Sequence, residues 1–340
     1  MTENRAVPFE FSDYVLRRTF VEAGKRQGWL DDGHIIVAVS GGGDSIALLW
    51  MCCSFFDGKV TALHVNHGIR GQESDGDESF TSAFAESLGA QFVRVRVNAP
   101  SGRLKGESLE SAARRLRLDA LCANAGTLGV RNVLLGHNRD DLAETVLFNI
   151  LRGTGIRGAV GMTECSARGW VRFCRPLLAF RRGFLRDVLR VRGITWREDS
   201  TNNDNSYTRN YIRNELLPTI EGRINASAVE HLAQFGEDMR PIREHEDERS
   251  RELFALCSES ASVLDWRKMK RLTPDDAALV VREAGRRLGL RTLSRGRCDE
   301  LSNLILKGEG FTFQWCGTTT VTGRKGRVEI HEHTGTNTAM

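Results

Sequence analysis

The sequence has 340 residues, 40% hydrophobic and 27% charged, with a formal net charge of +4. That length is enough for two ordinary domains with buried cores. No apolar run approaches a membrane span, and the N-terminus MTENRAVPFE lacks a basic region followed by an apolar stretch, so the expected location is cytoplasmic. The eight cysteines form no C-x-x-C pair and are expected to be reduced, mostly buried thiols rather than a metal site.

His34 to Val39 (HIIVAV) is a short apolar run that ends at a glycine turn, as a buried parallel strand does. Ser45 to Phe56 reads as a helix packed on a sheet, and Val60 to Val65 as a second strand. Ser74 to Leu88 is expected to be helical, Gln91 to Val97 a third strand, and Ser108 to Ala125 a long helix capped by Ser108. Asn132 to Leu135 and Arg139 to Leu151 complete a fourth strand–helix pair. Four alternations predict an α/β fold, a parallel sheet with helices on both faces.

Gly153 to Gly161 then reads as a glycine-rich loop, and Pro176 to about Arg192 as helical. Glu198 to Asn210 is polar and turn-rich, and Tyr211 to Ile220 resembles a closing helix. The catalytic domain is therefore expected to span 1–220, including a basic helical segment over 151–220. A smaller α+β domain is expected over 221–340. It would contain helices at Ala228–Leu256, Thr273–Leu288 and Ser294–Leu306. Short antiparallel strands follow at Phe311–Trp315, Thr319–Thr322 and Arg327–Ile330. Arginines crowd the stretch from Arg152 to Arg197, and a second basic run lies between Arg267 and Arg297. Such clusters suit a solvated face and a phosphate backbone equally well.

The turn Ser40-Gly41-Gly42-Gly43-Asp44-Ser45 carries the chemistry. Consecutive glycines let the backbone approach a ligand, and amides at a helix start favour an anion. The loop is neither a Walker A motif, which ends in Gly-Lys-Ser/Thr, nor G-x-G-x-x-G. Without a lysine, a carboxylate beside phosphates calls for a cation, which makes Asp44 the expected Mg²⁺ residue.

SGGGDS resembles the pyrophosphatase loop of the N-type ATP pyrophosphatases, which cut ATP between its α and β phosphates. HVNHGIR (His64–Arg70), SLESAARRLRLDAL (Ser108–Leu121) and LGHNRDDLAETVLFNILRGTGIRG (Leu135–Gly158) resemble, more narrowly, segments of the tRNA(Ile)-lysidine synthetases. So do CRPLLAFRRGFL and REDSTNNDNSYTRNYIRNELLP, where Arg175, Asp199, Asn202, Arg209, Asn210 and Arg213 match. Leu118 stands where that family has tyrosine and Leu142 where it commonly has glutamine.

The resemblance implies ATP and Mg²⁺ as cofactors, with Ser40 to Ser45 and His67 binding ATP. It implies catalytic roles for Asp44, Arg114, His137, Asp140, Glu144 and Arg209, of which Asp140, Glu144 and Arg209 would hold lysine. His137 and Asp140 are both candidates to take the amine's proton. Arg70, Arg152, Arg157, Arg175, Arg181 and Arg182 would meet tRNA. The implied partners are L-lysine and a tRNA(Ile) with a CAU anticodon, and the C-terminal domain would help grip the tRNA. A tRNA thiolase and an ammonia-dependent amide-forming ligase are the alternatives. The sequence leaves the oligomeric state open, a homodimer included.

Overall fold

The computed structural model of the protein describes residues 13–66, 72–104, 106–198 and 204–332. His67, Arg70, Asp199 and Asn202 lie outside these. The chain divides into two compact units, Met1–Asp238 and Met239–Met340. No helix among the described residues is long and apolar enough to cross a membrane.

The first unit opens with α1 (Asp13–Gln27). It continues through β1 (His34–Ala38), α2 (Gly43–Phe55), β2 (Lys59–Asn66), α3 (Gln72–Ser87) and β3 (Gln91–Arg96). Next come α4 (Leu109–Leu128), β4 (Asn132–Leu135), α5 (Arg139–Leu151) and the single turn α6 (Ile156–Ala159). A hairpin, β5 (Cys165–Arg168) and β6 (Val171–Cys174), is followed by a 3₁₀ turn (Pro176–Ala179), α7 (Arg182–Val191) and α8 (Thr208–Tyr211). A π turn (Ile212–Leu216) leads into α9 (Leu217–Arg223).

The six strands are ordered β3-β2-β1-β4-β6-β5. All pairings are parallel except β5 with β6. Successive residues of β1 point to opposite faces. Ile35 and Val37 pack with Phe20 of α1, Leu49 of α2 and Leu185 of α7. Ile36 packs on the other face with Leu121 of α4, Val133 of β4 and Phe173 of β6. Coverage of both faces explains why these strands read as continuous apolar runs rather than alternating ones.

The β5–β6 hairpin escaped the sequence reading, which passed from a glycine loop directly to Pro176. Its outer strand is largely exposed, so it carries no apolar pattern. The expected helix from Pro176 is also broken: a 3₁₀ turn is separated from α7 by Phe180 and Arg181.

The second unit contains the C-terminal part of α10 (Ala228–Cys257). It adds β7 (Val263–Asp265), α11 (Trp266–Met269), α12 (Pro274–Arg287), α13 (Arg295–Lys307), β8 (Phe311–Cys316), β9 (Thr319–Arg324) and β10 (Arg327–Glu332). Its antiparallel sheet runs β7-β10-β9-β8. Trp315, Val280 and Leu301 belong to its core. Both long helices begin at side-chain caps, Thr273 accepting from Asp276 N–H and Ser294 from Arg297 N–H.

Candidate ATP site

Strand order reverses between β1 and β4, and a cavity of about 830 Å³ opens at the carboxyl ends of β1, β2 and β4. This is where doubly wound sheets bind ligands, and the volume suits a nucleotide. Ser40, Gly42, Gly43, Asp44 and Ser45 line it, together with His64, Asn66 and His137 from neighbouring strand ends.

The glycine loop is held by its own hydroxyls. Ser45 Oγ donates to the Gly42 carbonyl at 2.8 Å and accepts from Ser40 N–H at 3.1 Å, while Ser40 Oγ lies 3.2 Å from Ser45 Oγ. These hydroxyls fix the turn and leave the first-turn amides of α2, which lack intrahelical partners, to face the cavity. Gly41 has φ +93, a conformation L side chains rarely adopt. Gly136, after β4, is needed for contact: a Cβ there would sit 3.1 Å from the Ser45 N and Cα atoms. The loop thus lies directly against the end of β4.

Asp44 Oδ1 is buried and has no hydrogen-bond partner among the described residues. Burial, then the neighbouring Asp141 charge, pushes its carboxyl up to about 6, against the pull of Arg182. On α5, Asn138 and Asp141 form a capping box, each side chain bonding the other's backbone N–H. Asp141 and Glu144, three apart, share one face and meet two guanidiniums. Arg182 Nη2 reaches Asp141 at 2.7 Å and Glu144 at 2.8 Å; Arg213 Nη2 reaches Asp141 at 2.9 Å and Glu144 at 2.7 Å. Burial works against the Arg182 charge, and Asp141, Glu144 and Asp44 more than offset it.

This network changes several expected roles. Glu144 is closed between two arginines and presents no free carboxylate. Asp140, which the resemblance assigns to lysine with Glu144, turns to the start of α7 instead. There its Oδ2 accepts from Arg182 N–H at 2.7 Å and from Arg181 Nε at 3.2 Å, and it does not line the cavity. Arg182 is a cavity residue rather than a surface one. Arg181 is tied to Asp140 and Glu221. Arg175 is buried, donating to the Thr163 carbonyl and Ser166 Oγ, so its guanidinium points into the fold. Arg209 lies over the Phe148 ring, 5.6 Å from its centroid, with Arg152 at 5.1 Å from that ring, and it does not line the cavity. Arg152 and Arg209 are exposed and Arg157 is half-buried.

A second group carries unspent charge. Arg117 of α4 lines the cavity with its Nε buried and without a hydrogen-bond partner among the described residues. Burial and the charge of Arg114 lower its pKa. Arg114 itself is exposed. His137 also lines the cavity, its Nδ1 buried without a hydrogen-bond partner among the described residues. Burial, then Arg175, Arg117, Arg114 and Arg209, push its pKa down to about 3, so the ring is neutral at ordinary pH. It is therefore a poor proton acceptor here.

The sequence reading missed Arg117, Arg186, Trp196, Arg197 and Asp77 as cavity residues. Trp196 and Arg197 arrive on an extended segment. The Trp196 ring lies beside Gly43, Arg197 N–H donates to the Gly41 carbonyl at 3.0 Å, and Arg197 Nε meets Asp77 Oδ1 at 3.1 Å. The Trp196 approach has no local sequence signature.

The donor set fits a nucleotide's divalent ion. Among the described residues no group of three or more His, Cys, Asp or Glu could hold a metal alone. Mg²⁺ bound through one or two carboxylates plus phosphates and water needs no such cage, and Asp44 offers an unpartnered oxygen.

Comparison with known proteins agrees with this geometry. The PP-loop domain model matches residues 16–220. A tRNA(Ile)-lysidine synthase of Symbiobacterium thermophilum is 33% identical over 279 residues, covering 80% of this chain and 55% of the relative. The enzyme of the same name from Thermus thermophilus is 42% identical over 208 residues, covering 60% of this chain and 38% of its own length. The chain thus spans about half the length, or less, of these curated relatives. The U34-tRNA thiolase NcsA from Methanococcus maripaludis shares the fold, with a TM-score of 0.54 at 16% identity over 66% of this chain and 78% of that one. Sequence match, sheet order and loop geometry agree, and the chain belongs to the PP-loop domain family, whose members use ATP.

Proposed function

We propose that this chain acts as a tRNA(Ile)-lysidine synthase. It would join L-lysine to C2 of the wobble cytidine of a tRNA(Ile) with a CAU anticodon. The observation that carries the reading is the charge pattern of the cavity: Asp44 Oδ1 beside the glycine loop, Arg117 Nε and His137 Nδ1 are all buried without a hydrogen-bond partner among the described residues. Such a cavity calls for a cation and an anion together, which an ATP·Mg²⁺ pair supplies.

In the proposed chemistry the cytidine C2 oxygen attacks the α-phosphorus of ATP, and the bond to the β-phosphate oxygen breaks, releasing pyrophosphate. The lysine ε-amine then attacks C2, loses a proton, and expels AMP. Helix α2 amides and Arg117 would hold phosphate charge where it accumulates on the leaving group. Bound at Asp44, Mg²⁺ would add further charge neutralisation. Neutral His137 would serve as a hydrogen-bonding group toward a phosphate or base edge, leaving the amine proton to solvent. The Asp141–Glu144–Arg182–Arg213 network would position the loop's neighbours rather than bind lysine through a free Glu144. Arg152, Arg209, Tyr207 and Tyr211 are exposed, a mixture suited to phosphate contact and base stacking on RNA. The C-terminal unit, with its basic run from Arg267 to Arg297, would add tRNA contacts.

The test is incubation of the chain with ATP, Mg²⁺, labelled lysine and tRNA bearing a CAU anticodon. Label on the RNA, with AMP and pyrophosphate formed in step, is the expected result. Sulfur transfer to tRNA, or amidation of a small molecule, would overturn the reading. A thiolase using cysteine chemistry would need thiols at the cavity, and among the described residues no cysteine lines it.

A further inference from the structure

Away from the ATP site, the β5–β6 hairpin brings two thiols together. Cys165 and Cys174 are register partners, and their sulfurs lie 3.4 Å apart. Arg175 N–H donates to the Glu164 carbonyl at 2.8 Å, so the pair at 164 and 175 is hydrogen-bonded. Alternation then makes Cys165 and Cys174 a non-hydrogen-bonded pair, whose Cα atoms lie about 4.5 Å apart. Disulfides span Cα separations of about 4.4–6.8 Å, so bridging requires no strand movement. Both cysteines are free.

We propose that Cys165 and Cys174 are a reversible thiol–disulfide couple, in which Cys165 is the thiol that reacts first and Cys174 the one that resolves it. The surroundings set this order. Cys165 is half-exposed, whereas Cys174 is fully buried. Arg172 of β6 holds its Nη2 3.9 Å from Cys165 Sγ, and the Gln27 carbonyl at the end of α1 lies 3.8 Å away. Glu164 opposes a Cys165 thiolate, but it is paired with Arg26 of α1 at 2.6 Å. The Cys174 hydrogen bond, then Arg172 against the cost of burial, brings Cys165 down to about 7. Cys174 is pushed up by Cys165 and by burial, against Arg172 and Arg175.

With hydrogen peroxide as oxidant, the Cys165 thiolate attacks one peroxide oxygen. The O–O bond breaks, leaving a sulfenic acid and hydroxide. Cys174 gives its proton to hydroxide and attacks the sulfenic sulfur, and a second hydroxide leaves and takes up the proton that Cys165 released on ionising. Overall, two thiols and one peroxide give one disulfide and two waters.

The full reduced chain is treated with limiting peroxide, alkylated and mapped by peptide mass. The expected product is one Cys165–Cys174 bridge, two hydrogens lighter and restored by dithiothreitol. In the untreated chain, Cys165 alkylation should rise through about pH 7, while Cys53, which burial pushes up to about 11, stays slow. Cys174→Ser should leave a sulfenic acid at Cys165, trapped by dimedone, and Cys165→Ser should leave Cys174 unoxidised. Over-oxidised Cys165 beside an alkylatable Cys174, bridges to other cysteines, or Cys165 alkylating no faster than Cys53 at pH 7 would overturn the proposal. The alkylation comparison needs no variant, so a folding defect in either serine variant does not remove the test.

Discussion

Asp44→Asn separates the cost of the ATP site from its use. The Asp44 carboxyl is raised from 3.8 to about 6, chiefly by burial and by Asp141. The native state therefore binds this proton more tightly than the unfolded state does, and stability falls as pH rises from about 4 through 6. A shift of roughly two units corresponds to on the order of 3 kcal/mol of destabilisation once the group is ionised. Removing the charge should raise the melting temperature of the first unit at pH 7.5 by several degrees. The gain should vanish below about pH 4, where the wild-type group is protonated. Saturating ATP and Mg²⁺ should invert the order, because at about 1,000 times Kd a ligand adds roughly 4.1 kcal/mol to the form that binds it. Differential scanning calorimetry across pH 4–8, with and without nucleotide, provides the assay. A variant less stable than wild type at pH 7.5 without ligand, or a wild type whose stability is flat between pH 4 and 6, would refute the assignment of Asp44 as a strained, cation-seeking carboxylate.

The other predictions probe separate parts of the site. Gly136→Ala places a methyl against Ser45 and Asp44 backbone, so it should cost about 1–3 kcal/mol and weaken ATP binding in titration calorimetry. Arg117→Met should leave folding intact or improved while lowering affinity for inorganic pyrophosphate at least tenfold, the scale of a lost charged hydrogen bond of about 1.5–3 kcal/mol. Glu144→Gln leaves Arg182 and Arg213 under-paired and should lower urea stability by about 3–5 kcal/mol; little change would mean the network is not structural. His137 is neutral when folded, with its pKa at about 3 against 6.5 unfolded. Stability is therefore lost as pH falls below about 6.5, and His137→Asn should flatten that acid limb in pH-resolved denaturation.

The sequence displayed the parallel sheet because β1, β2 and β4 are buried on both faces and read as uninterrupted apolar runs. Helix α4 announced itself through the Ser108 cap, and α5 through the strand–helix alternation that β4 continues. What escaped notice depends on tertiary partners. β5 is mostly solvent-facing, and α1 was not anticipated. Spacing alone placed Asp140 beside Glu144, because residues four apart share a helix face. It could not reveal that the first amide of α7 would claim Asp140, or that Arg182 and Arg213, far along the chain, would claim Glu144. Likewise Arg175 and Arg182 belong to a basic stretch by composition but are directed inward by partners the stretch does not contain.

The physical logic of the site lies in how its charges are partitioned. Asp141, Glu144, Arg182 and Arg213 satisfy one another and hold the start of α5 against α7. Their charges are largely spent on one another, although Asp141, Arg182 and Arg213 still line the cavity. Among the described residues, Asp44 Oδ1 and Arg117 Nε are left without hydrogen-bond partners at the cavity, although Arg182 Nε stands 3.8 Å from Asp44 Oδ2. Burying such groups costs stability in the empty protein. A fold selected for stability alone would pair or replace them; one that must bind a phosphate chain and its counter-ion keeps them unpaired. If Asp44→Asn and Arg117→Met both stabilise the empty chain and both weaken nucleotide binding, the unmatched atoms are the binding site. If either substitution leaves nucleotide affinity unchanged, the cavity's charge pattern has another cause.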